Sequence, residues 1–234
     1  MESIFKFKQF EVNQEGCAMR INTDGVLLGA RSMQAHPLHI LDIGTGTGVV
    51  AMMMAQRFPD SFVDAVEIDE SAAFRAGKNF SLSAFSSRLR IFHTAIEAYD
   101  TEISYDLIVS NPPFFVNDLK NAEDRKSLAR HADAAFFESV LHKAARMLSP
   151  GGLLWLILPV KQADIFIAEA IAQNLLLQFE ISICSDQDKP VIRKLFALGR
   201  RPAVVKRETL FIYEAQGIHT AHYKQLLKEF FLAF

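Results

Sequence analysis

Short apolar runs alternate with longer amphipathic ones through most of the chain. Leu38–Ile43, Phe62–Ile68, Leu89–His93, Tyr105–Ser110 and Leu153–Leu158 are strand-length runs bounded by glycine, proline or acidic residues. Between them lie segments of helical period. Val49–Phe58 is stopped by Pro59-Asp60, and Ser71–Phe85 has Ser71 or Asp69 as its cap. Ala134–Leu148 ends at Ser149-Pro150-Gly151-Gly152, and Lys161–Asn174 follows the fifth strand. The rhythm then changes. Leu177–Cys184, Ile192–Leu198 and Val204–Tyr213 read as strands with no helix between them, and His219–Phe231 reads as a closing helix. Five βα units followed by antiparallel strands imply a doubly wound α/β sandwich. In such sheets a ligand lies beyond the carboxyl ends of the strands, beside the first one.

Composition narrows the class. With 234 residues, half of them hydrophobic and 22% charged, the chain suits one soluble domain, residues 1–234. No apolar run has the length of a membrane span. Charges at Glu2, Lys6 and Lys8 stand where a signal peptide needs its apolar stretch. Cys17 and Cys184 are far apart without metal-type spacing, which reads as buried thiols, no metal and a cytoplasmic setting. Charge is unevenly spread. Residues 189–234 hold nine lysines and arginines against three acids, whereas residues 1–188 hold sixteen against 24. From Lys189 to Arg207 there are seven basic residues and no acid. Such a run either presents a positive edge to phosphate, through Arg193, Lys194, Arg200 and Arg201, or is a solvated face.

Chemistry gathers where the strands end. Asp42 precedes a turn carrying Gly44, Gly46 and Gly48, whose last glycine comes one residue too early for a dinucleotide fingerprint. A carboxylate before that turn would crowd a pyrophosphate, but it suits a ligand ammonium. The pattern therefore favours S-adenosylmethionine over NAD. Glu67, nineteen residues beyond Gly48, ends the second strand at the distance for accepting both ribose hydroxyls, while Asp69 caps the next helix. Ala95 and Ile96, after the third strand, are candidates to flank the adenine.

Ser110-Asn111-Pro112-Pro113-Phe114 closes the fourth strand. An amino nitrogen conjugated to a ring or carbonyl is a weak nucleophile. Acceptors at the Asn111 side chain and the Pro112 carbonyl can each take one of its N–H groups and aim its lone pair at a methyl donor. Pro113 stiffens the loop, and Phe114 offers a face for a planar acceptor. The reading is N-methylation of a planar amino group.

These motifs resemble amino-methyltransferases acting on adenine, guanine or glutamine amide. The stretches Phe5–Val12 and Cys17–Ala30, Ser127–His131 and the ending Leu226–Leu232 narrow the resemblance to the bacterial tRNA1(Val) adenine-N6 methyltransferase family. The resemblance implies a Rossmann-like fold with a mostly parallel, seven-stranded sheet, antiparallel at its last strands, and an N-terminal segment (residues 1–35) that contributes to the cofactor site. It implies that Thr23 and Asp24 contact the methionine end of the cofactor, and that a monomer acts on tRNA at the adenosine 3′ to the anticodon. Arg130 would meet a phosphate or cap a helix. The competing functions are guanine-N2 or glutamine-N5 methylation by the same loop, and a non-catalytic, cofactor-sensing RNA-binding module. Phe7 and Phe10 are expected in the core rather than on bases.

Overall fold

A computed structural model describes residues 3–17, 19–112 and 124–234, with side chains from residue 135 onward in the last segment. The N-terminal segment forms a hairpin of β1 (Ile4–Lys6) and β2 (Glu11–Asn13), followed by helix α1 (Thr23–Arg31). Five strands alternate with helices: β3 (His39–Ile43), α2 (Val49–Arg57), β4 (Phe62–Glu67), α3 (Glu70–Leu82), β5 (Leu89–His93), β6 (Tyr105–Ser110), α4 (Asp124–Met147), β7 (Leu148–Pro159) and α5 (Val160–Ala170). Then come β8 (Leu176–Cys184), β9 (Val191–Gly199), β10 (Lys206–Phe211), a small hairpin of β11 (Tyr213–Ala215) with β12 (Ile218–His219), and α6 (Ala221–Leu227).

All eight apolar runs join one sheet, in the order β10-β8-β9-β7-β6-β3-β4-β5. The sheet thus has eight strands rather than seven, and only β9 runs against the others; β10 is parallel to β8. The cause is edge availability. With β9 hydrogen-bonded to β7 on one side and β8 on the other, β10 finds its partner on the outer edge of β8. The expected closing helix is shorter, because Ile218 and His219 pair with β11 and Thr220 caps α6 by accepting the Tyr223 N–H. The helix Lys161–Asn174 instead tightens to a 3-10 turn and stops at Asn174 in left-handed backbone, φ +56°.

Strand periodicity separates two cores. In β7, Leu153, Trp155 and Ile157 enter the cluster built with α1, α2, α3 and α6, while Leu154, Leu156 and Leu158 enter the one built with α4 and α5. Phe7 and Phe10 are buried and stacked with ring centroids 4.4 Å apart, as expected. The β1–β2 hairpin is tied to the C-terminal residues: the Lys8 N–H donates to the Phe230 carbonyl at 2.8 Å, and Lys8 Nζ donates to the carbonyls of Lys228 and Phe234 at 2.6 and 2.9 Å. Cys184 is buried, whereas Cys17 is only half-buried.

At the amino ends of the strands Asp64, 2% exposed, accepts hydrogen bonds from Tyr105 Oη and Arg90 Nε, both at 2.7 Å. Tyr99 Oη contacts Tyr105 Oη at 2.7 Å, and burial holds the Tyr105 phenol well above its ordinary value. Asp64→Ala leaves a buried phenol without its acceptor and should cost about 3 kcal/mol in urea unfolding. Arg90→Ala should cost less, about 1–2 kcal/mol, since the guanidinium is half-exposed and the buried Asp64 carboxylate keeps Tyr105 Oη as a donor. Neither change should alter ligand binding at the opposite end of the sheet.

Candidate active site

The turn after β3 is forced through left-handed backbone, with φ +71° at Gly44, +57° at Gly46 and +86° at Gly48. The glycines differ in what surrounds them. A Cβ on Gly44 or Gly46 would meet no atom within 4 Å, so these positions leave the backbone open to a ligand. A Cβ on Gly48 would come within 2.4 Å of the Phe80 ring, so that glycine serves close packing of α2 on α3. Gly44 and Thr45 N–H groups donate to the Val66 carbonyl at 2.9 and 3.1 Å, which fastens the turn to the end of β4.

Two carboxylates flank this turn. Asp42 is 1% exposed; its Oδ2 accepts from Thr45 Oγ1 at 2.6 Å and from the Ala51 N–H at 3.1 Å. Burial pushes its carboxyl up to about 7, against those two hydrogen bonds and with a further push from the charge of Glu67. Glu67 accepts the Gly46 N–H on Oε2 at 2.8 Å and the Asp69 N–H on Oε1 at 2.9 Å. Asp69 caps α3 by accepting the Ala72 N–H at 2.8 Å, as expected. Ala95 starts a short 3-10 turn and is half-buried, while the Ile96 side chain is packed in the second core cluster.

Asn111 and Pro112 follow β6, whose last residue Ser110 donates through Oγ to the Ile43 carbonyl at 2.9 Å. Asn111 lines the same cleft as Asp42, the turn 44–47, Gly25 and residues 19–22. Pro113 and Phe114 lie outside the described residues, as does the side chain of Arg130.

Asn22 joins the site without having been singled out by its position in the sequence. It caps α1 by accepting the Gly25 N–H at 2.9 Å, and the same Oδ1 faces Asn111 Nδ2 at 3.5 Å. The signal was present, since an asparagine three residues before Gly25 at the start of an apolar helix is an N-cap pattern. Asn79 was also missed. From α3 its Nδ2 donates to the carbonyls of Thr47 and Asn13, and its Oδ1 accepts the Asn13 N–H, which joins turn, helix and hairpin.

Asp24 does not stand open toward a cofactor carboxylate. Its Oδ2 accepts from Arg193 Nε at 2.8 Å, an ion pair between α1 and β9. A second cavity of about 310 Å³ is bounded by Met19, Asn22 and Thr23 on one side, Asn111 and Pro112 on another, and this pair.

Of the two readings of the basic run, the structure favours the solvated one, because its residues do not share one edge. Because β9 runs backwards, Arg193 lies opposite Pro159 at the carboxyl ends, whereas Gly199 lies opposite Leu153 at the amino ends. Arg200 and Arg201, directly after Gly199, therefore sit at the far end of the sheet from Asn111. Arg200 donates to the Ala145 carbonyl and Arg201 packs beside Gly151. Lys194 is neutralised by Asp164 and Glu180 at 2.7 and 3.2 Å.

Fold and turn together define an α/β methyltransferase. The profile described as the methyltransferase small domain matches residues 22–175. A protein of Pedobacter heparinus is 55% identical over the full length of both chains, and one of Flavobacterium johnsoniae is 40% identical over 98% of this chain and 99% of its own. Both are named tRNA1(Val) (adenine(37)-N6)-methyltransferase. The chain belongs to this family, whose methyl donor is S-adenosylmethionine. Among solved structures, a predicted O-methyltransferase of Agrobacterium tumefaciens superposes with a TM-score of 0.70 at 19% identity, covering 88% of this chain and 96% of its own. A TehB-like S-adenosylmethionine-dependent methyltransferase of Corynebacterium glutamicum gives 0.54 at 17% identity, covering 77% and 89%. At these identities they share the fold.

The site residues fit that donor. Open backbone at Gly44 and Gly46 and a desolvated carboxylate at Asp42 suit a ligand with an ammonium and no phosphate. A carboxyl raised from 3.8 to about 7 favours the folded state most below pH 4, and this contribution is lost as pH rises through 7. An ammonium ligand prefers the ionised form, so its linkage has the opposite sign. With Asp42 as its partner, S-adenosylhomocysteine affinity should fall as pH drops through about 7, and Asp42→Asn should flatten the profile, as read by calorimetry from pH 5.5 to 8.5. Gly48→Ala should destabilise the fold by about 2 kcal/mol, because strain and the Phe80 clash add. Gly46→Ala should cost about 1 kcal/mol in thermal unfolding, from backbone strain alone.

Proposed function

We propose that the chain transfers a methyl group from S-adenosylmethionine to N6 of adenosine 37 in tRNA1(Val), in the cytoplasm. The observation that carries this reading is Asn111, at the end of β6, lining one cleft with Asp42 and the Gly44–Thr47 turn. The names of the full-length relatives support the acceptor.

Bound S-adenosylmethionine supplies an electrophilic methyl on a sulfonium. The chain's own contribution is alignment and electrostatics. Asp42 holds the amino-acid end, Glu67 the ribose, and Ala95 with Ile96 the adenine edge. Asn111 Oδ1 and the Pro112 carbonyl accept the two N–H groups of the acceptor, drawing its nitrogen toward tetrahedral geometry. No side-chain base is needed beforehand, because the alkylated nitrogen is cationic and loses its proton readily to water. Phe114 supplies the stacking face in this reading. An adenine must leave its stack to reach such a site, and a loop adenosine does so at lower cost than one in a duplex.

Incubation with labelled S-adenosylmethionine and total bacterial tRNA should yield N6-methyladenosine by nucleoside mass spectrometry; N2-methylguanosine in its place would transfer the reading to guanine. Asn111→Ala should slow turnover by about two orders of magnitude while S-adenosylhomocysteine affinity stays within about twofold, as for other preorganised transition-state contacts.

A further inference from the structure

Two asparagines far apart in the chain meet at the cleft. Asn111 follows β6 and Asn22 precedes α1, and both line the cavity of about 310 Å³ as well as the cleft that contains Asp42 and the glycine turn. Asn22 Oδ1 accepts the Gly25 N–H at 2.9 Å and faces Asn111 Nδ2 at 3.5 Å. A Cβ on Gly25 would touch both groups, 3.6 Å from that Oδ1 and 3.4 Å from that Nδ2. The first turn of α1 therefore lies directly against the Asn111 amide.

A backbone N–H can only donate, so the Asn22 atom that caps α1 must be its oxygen. That choice fixes the second amide too. With the Asn22 oxygen facing it, the near arm of the Asn111 amide has to be the NH2 group, because two carbonyl oxygens in that position would repel. Oδ1, on the other arm of the same plane, is then the one that can take an N–H of the acceptor. Turned over about its terminal torsion, the side chain would instead aim a donor at an amino group that is itself a donor. The two orientations have nearly the same shape, and only one is competent.

We propose that Asn22 is a positioning residue for methyl transfer, holding the Asn111 amide with Oδ1 toward the acceptor amino group. This rests on the assignment of Asn111 to that amino group. The bond to Asn111 Oδ1 strengthens as the nitrogen becomes cationic, so a misoriented amide is felt in kcat more than in KM.

The test separates capping from positioning. Serine caps helices about as well as asparagine, but its hydroxyl is one bond shorter and ends short of Asn111. Asn22→Ser should keep wild-type thermal stability and S-adenosylhomocysteine affinity within about twofold. Its kcat on an anticodon stem-loop RNA should fall about five- to tenfold, the worth of one neutral hydrogen bond, with KM for the RNA little changed. Asn22→Gly, which caps nearly as well and carries no side chain, should give the same loss. Asn111→Asp removes the choice of orientation, since both arms of a carboxylate accept. In that background Asn22→Ser should cost less than about twofold.

A readout independent of turnover is the Asn111 side-chain amide itself, identified in proton–nitrogen spectra as the NH2 pair that Asn111→Asp removes. Its exchange with water should quicken about fivefold on Asn22→Ser. Undiminished kcat in Asn22→Ser, an equal kcat penalty in both backgrounds, or an unchanged NH2 exchange rate overturns the proposal and leaves Asn22 a helix cap alone. Should Asn111→Asp be too slow to assay, the exchange rate and the two single variants decide. Undiminished turnover by Asn111→Ala would instead remove the reading on which the proposal rests.

Discussion

Everything at the site depends on a backbone that must turn left-handed three times in five residues. Between β3 and α2 only glycine can do this without strain, and the turn is held by partners from several elements. Val66 at the end of β4 receives two of its N–H groups, Glu67 receives a third, and Asn79 of α3 donates to its Thr47 carbonyl. The shape of the proposed cofactor turn is therefore a property of the junction rather than of a loop. Asp42 and Glu67, the carboxylates proposed to meet the cofactor, also fix the shape of the turn, so on that reading affinity and local order are tied to the same atoms.

The second organising fact is the reversal of β9. It brings Arg193 back to the carboxyl ends of the parallel strands, where Asp24 of α1 meets it 169 residues away in sequence. The α1 segment is thus held at both ends of its first turn, by the Asn22 cap and by the ion pair. The ion pair ties the start of α1 to β9, while Asn22, which caps the helix locally, faces Asn111 Nδ2 at 3.5 Å.

Much of this was legible in the sequence, for a physical reason. Asp42, Glu67 and Asn111 each end an apolar run, and in a parallel sheet all such ends fall on one side; periodicity alone was enough to assemble them. The cap at Asp69 and the burial of Phe7 and Phe10 were local and hydrophobic matters, equally readable. Pairing was not. The basic run from Lys189 to Arg207 left a positive edge and a solvated face both open, because spacing along a chain does not reveal that a strand carries its two ends to opposite sides. Lys194 and Arg193 looked open because Asp164, Glu180 and Asp24 are distant in sequence. The position of β10 depended on which strand edge was left, a property of the finished sheet.

The clasp between the first hairpin and the last residues has a consequence for synthesis. Lys8 is bound by the carbonyls of Lys228, Phe230 and Phe234, while Asn13, at the other end of the same hairpin, is bound to Asn79 beside the glycine turn. The hairpin that precedes the cleft-lining residues 19–22 therefore lacks one of its anchors until residues 228–234 have been added. A nascent chain already containing every strand of the sheet would still have a loosely held hairpin until residues 228–234 joined it.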